Sequence, residues 1–326
     1  MSSLTLRGPY WVTVRQYRRT LWLAGAVVAA SIVVIGGLAI WDAQVPNRYY
    51  EDGQQFPADD DRGYTLLRLA LDYGGTWLLF LPLLVGAFVA GPLVAREFES
   101  GTYKLSLTQS AGPAAWLRAK LRTATVVALL TTLALIGVFR IGWSRIGDSW
   151  MYWADRGPYE ATGIVLLAYA LAAVAVGALL GLLIRRTLVA MAVTGLVMGV
   201  VLLALGVLRW SLLPVKTATG PVGPTLWAPD NPLIIESGLL TSSGARFDEH
   251  ICAQEAADTP GAHTVEGLWG KVEAACQARH GVTAQYLDYH PESHFWPTQL
   301  IETGIVLALA GLALFAAFRV LRARHP

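Results

Sequence analysis

Apolar residues in this chain fall into six long blocks rather than at the three- and four-residue spacing of an amphipathic helix. A hydrocarbon core of roughly 30 Å takes about 20 apolar residues of helix to cross. Leu21–Trp41, Gly75–Ala95, Thr123–Phe139, Thr162–Ile184, Leu188–Leu208 and Ile301–Val320 meet that requirement. Trp22, Trp41, Trp77, Trp143, Trp210 and Trp296 sit at or near the block ends, where an indole prefers the headgroup region. The pattern predicts an all-α integral membrane protein with six transmembrane helices.

The polar segments between the blocks carry opposite charge on alternate sides. Residues 1–20, the loop 96–122, the Arg185–Arg186 turn and the tail from Arg319 hold 14 basic residues against two acids, Glu97 and Glu99. The other three segments, 42–74, 140–161 and 209–302, hold 11 basic residues against 21 acids. A net charge of +2 is therefore the cancellation of two fields. Basic loops stay inside, so both termini are expected in the cytoplasm of a plasma-membrane protein. The first block is too long for a signal-peptide core of about 7–15 residues and no small-residue cleavage site follows it, which predicts an uncleaved anchor. Ahead of it, Tyr10–Arg19 reads either as an interfacial helix or as an ordinary basic flank.

Four regions follow from this reading. They are a cytoplasmic or interfacial segment 1–20, spans one to five over 21–208, an extracellular module over 209–299, and the sixth span with its basic tail over 300–326. In the module, Thr264–His280 is expected to be a helix, with Thr264 as its cap and Gly281 after its last turn. Its two cysteines, Cys252 and Cys276, are the only ones in the chain. In an oxidising compartment they are expected to pair, the alternative being two buried free thiols.

Composition narrows the chemistry. Apolar residues make up 54% and charged residues 15%, against about a quarter charged in a soluble domain. All six histidines lie outside the blocks and no Asp lies within one, so an intramembrane protease lacks its acid–base partners. Glu302, one residue into the last block, is the only carboxylate at membrane depth and is expected to face the outer headgroups, which disfavours a proton-coupled carrier. No G-x-x-x-x-G-K-[ST] phosphate loop occurs. His290-Pro-Glu-Ser-His294 has the wrong order for a zincin helix and reads as a surface loop. Gly177-x-x-x-Gly181 and Gly195-x-x-x-Gly199 read as helix-packing faces.

The loop after the second block is the informative one. It reads Arg96-Glu97-x-Glu99-x-Gly101-Thr102, then Leu107-Thr108-Gln109-Ser110, then Gly112-Pro113 and Trp116-Leu117-x-x-Lys120. Gly112-Pro113 marks a break followed by a helix start. A second motif precedes the last span: Tyr289-x-Pro291-x-Ser293-x-Phe295-Trp296-x-x-Gln299-x-x-Glu302. Together these resemble bacterial type-2 ABC transporter permeases, whose ATPase is a separate chain. In place of the Arg common in relatives, Ala111–Ala115 carries none, and His290 and His294 stand where relatives often have Gln and Arg.

The resemblance implies a non-catalytic transmembrane subunit of an ATP-driven exporter. It implies two cytoplasmic ATPase chains, which bind the ATP and Mg, and a second permease chain, identical or homologous. This chain itself would carry no cofactor or metal and bind no nucleic acid. Loop 96–120 would be the coupling element, with Glu97, Glu99, Gly101, Thr102, Thr108, Gln109 and Ser110 as its contact residues. Glu97 and Glu99 would face basic groups on the ATPase, or else pair internally with Lys104, Lys120 or Arg122. A non-transporting sensor or immunity subunit of an ABC-type complex is the alternative, and a secondary carrier ranks behind both.

Overall fold

The computed structural model describes residues 15, 17–44, 48–51, 54–57, 62–103, 112–150, 152–228 and 231–324. Two compact units result, one of Met1–Arg209 with Gln299–Pro326 and one of Trp210–Thr298. The first holds six helices long and apolar enough to cross a membrane. These begin with α1 (Arg18–Ala43), which a short hairpin of β1 (Arg48–Glu51) and β2 (Gln54–Pro57) follows. The second span is one rod: α2 (Arg62–Leu84), a π-helical stretch Val85–Ala90, and α3 (Gly91–Glu99). Then come α4 (Pro113–Trp150), the short α5 (Pro158–Thr162), α6 (Val165–Ile184), α7 (Thr187–Leu208) and, after the second unit, α10 (Phe295–Arg324).

Several helices run past the expected apolar blocks. The second span starts at Arg62 rather than Gly75, because Tyr64, Leu67 and Leu71 form a buried helical face that packs with Phe139 and Ile146. Arg62, Arg68 and Asp72 on the same stretch hide it from a hydropathy count. Within the rod, Pro82 and Pro92 bracket the π stretch. Each removes a backbone donor from the ladder, and a widened turn is a common way for a helix to absorb such a break.

Both glycine pairs pack on this span. A Cβ on Gly177 would lie 2.4 Å from the Ala90 Cβ, and one on Gly181 would lie 3.1 Å from the Ala95 nitrogen. Gly195 and Gly199 come close to Ala87 and Leu83. The absent side chains let the π stretch and α3 settle directly on α6 and α7.

The second unit adds strands that apolar periodicity did not announce. β3 (Lys216–Pro221), β4 (Leu233–Thr241), β5 (Arg246–Phe247) and β6 (Val282–His290) form an antiparallel sheet in the order β3-β6-β4-β5. Gly238 sits opposite Tyr286, and any Cβ there would lie 2.9 Å from its ring. Two helices, α8 (His250–Asp258) and α9 (Leu268–Arg279), pack together and are joined by a Cys252–Cys276 disulfide with a Cα–Cα distance of 5.6 Å. The expected helix at Thr264 starts at Leu268 instead, because Gly267 takes a left-handed φ of 72° and breaks the turn before it. His290 is buried, not a surface-loop residue: it ends the central strand, and its Nε2 meets the Trp210 carbonyl at 2.9 Å. Burial holds it below the ordinary imidazole range.

Candidate functional site

Both ends of the loop expected to carry coupling are among the described residues. At one, α3 ends at Glu99 and Gly101 follows with a φ of 72° and open space around its missing side chain. This is the left-handed conformation a β-branched residue resists. At the other, Pro113 opens α4, in the first-turn position where its missing N–H costs nothing. Thr108, Gln109 and Ser110 lie outside the described residues. Thr102 is exposed, 2.9 Å from the Ser100 hydroxyl.

The two glutamates part company. Glu97 is turned inward, 7% exposed, with Lys120 Nζ at 2.5 Å from Oε1. The Trp116 indole donates to Oε2 at 3.0 Å. Lys120 also donates to the Leu93 carbonyl, which accepts the Tyr17 hydroxyl too. Burial, and then the Glu97 charge, push the Tyr17 phenol up, so it remains a donor at neutral pH. Of the two roles open to Glu97, internal pairing with Lys120 is the one present, because a carboxylate leaving water needs a charged partner nearby.

Glu99 is exposed and accepts from the Thr187 amide at 2.9 Å. A carboxylate at that position satisfies an otherwise orphan donor in the first turn of α7. Arg185, left-handed at φ 57°, stacks its guanidinium over the Phe98 ring at 5.2 Å. The Arg185–Arg186 turn is thereby held against the end of the second span. The loop's roots are therefore tied to the segment ahead of α1, to α4 and to α7.

A second polar cluster closes the opposite end of the same unit. Arg209 is 3% exposed, and its Nε and Nη2 donate to the two oxygens of Glu302 at 2.9 and 3.1 Å. Its Nη2 also reaches Glu160 at 2.5 Å, and its guanidinium lies 3.8 Å over the Tyr159 ring. Tyr169 donates to Glu302 at 2.6 Å, and the Gly157 amide donates to Glu160 at 2.8 Å. Beside it, Gln299 accepts from the Ile164 and Val165 amides and donates to the Tyr159 carbonyl. Only glycine at 163 leaves room: a Cβ there would lie 2.1 Å from the Gln299 amide.

Glu302 therefore does not face the headgroups as its position had predicted. Arg209 and Tyr169 draw it fully into the protein, where Coulomb attraction and hydrogen bonds replace its hydration. In the sequence Arg209 and Glu160 are only two among the charges of the acidic segments. The one sequence signal at this end was the Gln299-x-x-Glu302 spacing, which puts both side chains on one helical face.

Neither cluster brings a nucleophile and a base together, and no group of three His, Cys, Asp or Glu residues converges on a metal site among the described residues. What the loop-end arrangement can do is mechanical. These contacts join the loop's ends to the second, third and fifth spans. The family described as ABC-2 membrane transporter related matches residues 23–209. No curated protein matches the chain.

Proposed function

The chain belongs to the ABC-2 membrane transporter related family, and from that premise we propose that it is the transmembrane subunit of an ATP-driven exporter, driven through loop 96–120. It is a multi-pass membrane protein and a permease component of an ABC transporter. In this reading the basic loop end faces the cytoplasm, where a separate ATPase, present in two copies, binds ATP and Mg. A second permease chain, identical or homologous, completes the pathway. The stripe Leu196, Val200, Leu203 and Val207, each more than half exposed on α7, is the face offered to that chain.

The observation that carries the reading is that Glu97 joins the loop's first root to α4, where the second root begins, while Glu99 joins it to α7. A docked ATPase that moves the loop would pull on those spans together. Gly101→Val is the direct test, since it disturbs the left-handed residue next to the docking segment and touches no packed side chain. Normal membrane abundance, weakened retention of the co-expressed ATPase on co-purification, and lost export are expected. Wild-type retention together with wild-type export would overturn the coupling role.

A further inference from the structure

An apolar groove runs along the side of the membrane unit. It lies between α1, α2 with its π stretch, and α4. Two cavities of about 540 and 380 Å³ share Val27, Leu81, Leu84 and Leu135, so they form one continuous trough. Short side chains help to open it: Ala24 on α1 and Ala124 and Ala128 on α4 all line the larger cavity, where leucines would fill space. Interiors without such gaps pack to crystal-like density. One end of the trough is bounded by Arg19 and Thr20, the other by Trp77 and Phe139.

We propose that this groove is a binding site for an anionic phospholipid, one acyl chain lying along the trough and the phosphate at Arg19. The volume is in the range of small-ligand pockets, too small for a further helix about 10–12 Å across. The walls are apolar but for hydroxyls, which suits a chain and gives a headgroup no place beyond the arginine end. Arg19 is exposed and has no ion-pair partner among the described residues. Arg18 is exposed beside it. The acids near that end are already engaged, Glu97 by Lys120 and Glu99 by the Thr187 amide. Glu99 keeps its negative charge on that hydrogen bond, but exposed Arg18 and Arg19 leave the mouth net positive, and an arginine near a membrane surface attracts anionic lipid.

The test is a lipid titration of the purified full-length protein, read by native mass spectrometry. Phosphatidylglycerol and phosphatidylcholine with identical chains are compared, and glycerol phosphate is added as a free headgroup. Phosphatidylglycerol is expected to bind about fivefold tighter, the effect of one arginine at a surface. Arg19→Gln should abolish that preference while leaving phosphatidylcholine binding as it was. Val127→Trp fills the groove wall and should weaken both lipids, and Leu23→Trp, at an exposed wall position, repeats the test without burying new bulk. Glycerol phosphate should not compete. Equal wild-type binding of the two lipids, a preference retained in Arg19→Gln, unchanged binding in both tryptophan variants, or competition by glycerol phosphate alone would each overturn the proposal.

Discussion

Two of the buried charge clusters of the membrane unit, at its opposite ends, solve the same problem with different arithmetic. At the loop end one lysine faces one glutamate, and the residual hydrogen-bonding capacity is met by neutral groups: the Trp116 indole and the Leu93 carbonyl. At the opposite end one arginine faces two glutamates. A lysine ammonium is a compact point charge, sufficient to bridge the second and third spans. Only the planar fork of an arginine can grip Glu302 with two nitrogens and still reach Glu160. The balanced pair pins two spans beside a loop. The fork gathers α5, α6, α7 and α10 around one guanidinium, so it holds more structure and has less tolerance for loss.

That contrast predicts an order of damage. Arg209→Met strands two buried carboxylates and should be the worst, costing about 3–5 kcal/mol, the range for breaking a buried pair. Thermal unfolding in detergent measures it, and a smaller loss than that caused by Lys120→Met would end the argument for the fork. Lys120→Met strands one carboxylate and belongs at the low end, about 3 kcal/mol. Adding Glu97→Gln to it should recover most of the loss, because removing both charges is nearly neutral where removing one is not. A double variant no more stable than Lys120→Met would show that the charge pair is not what holds that end.

Arg209→Lys sharpens the comparison, since it keeps the charge and removes the fork. It should cost about 1.5–3 kcal/mol, the worth of a hydrogen bond to a charged group. Thermal unfolding of this variant beside Lys120→Arg separates geometry from charge. If lysine at 209 is as stable as arginine, bidentate geometry carries no weight there.

The six spans were legible because a block of apolar residues has one meaning at membrane length, whatever its neighbours do. The ends of the helices were not, because Tyr64, Leu67 and Leu71 bury their face through tertiary contact while Arg68 and Asp72 interrupt the local pattern. The break at Gly101 could be foreseen from the chain, since a glycine between a helix end and a short polar segment has few other uses. The partners of Arg209 could not. Glu160, Tyr169 and Glu302 come from three separate elements, and nothing local to any of them announces an ion pair across 49 or 93 residues of chain. The inserted unit hid its strands in a different way. Its sheet residues alternate weakly, with β4 mostly exposed or half-buried along its first half.

The smallest expected effect on stability belongs to Glu99, and it separates the two glutamates of the loop. Glu97 is inside, so Glu97→Lys would set two ammonium groups against each other in the protein interior and report on folding before anything else. Glu99 is outside, held by a single amide and surrounded by exposed Arg96, Arg185 and Arg186. Glu99→Lys removes the one exposed acid of that face, so any partner reading it meets repulsion in place of attraction. Unfolding temperature should stay near the wild-type value, while retention of a co-purifying ATPase should fall and fall more at low salt, where repulsion is least screened. Glu99→Gln should sit between the two, since it loses the charge without reversing it. If Glu99→Lys retains the ATPase as well as the wild type at every salt concentration, the acid does no more than close the first turn of α7, and coupling has to pass through the loop by shape alone.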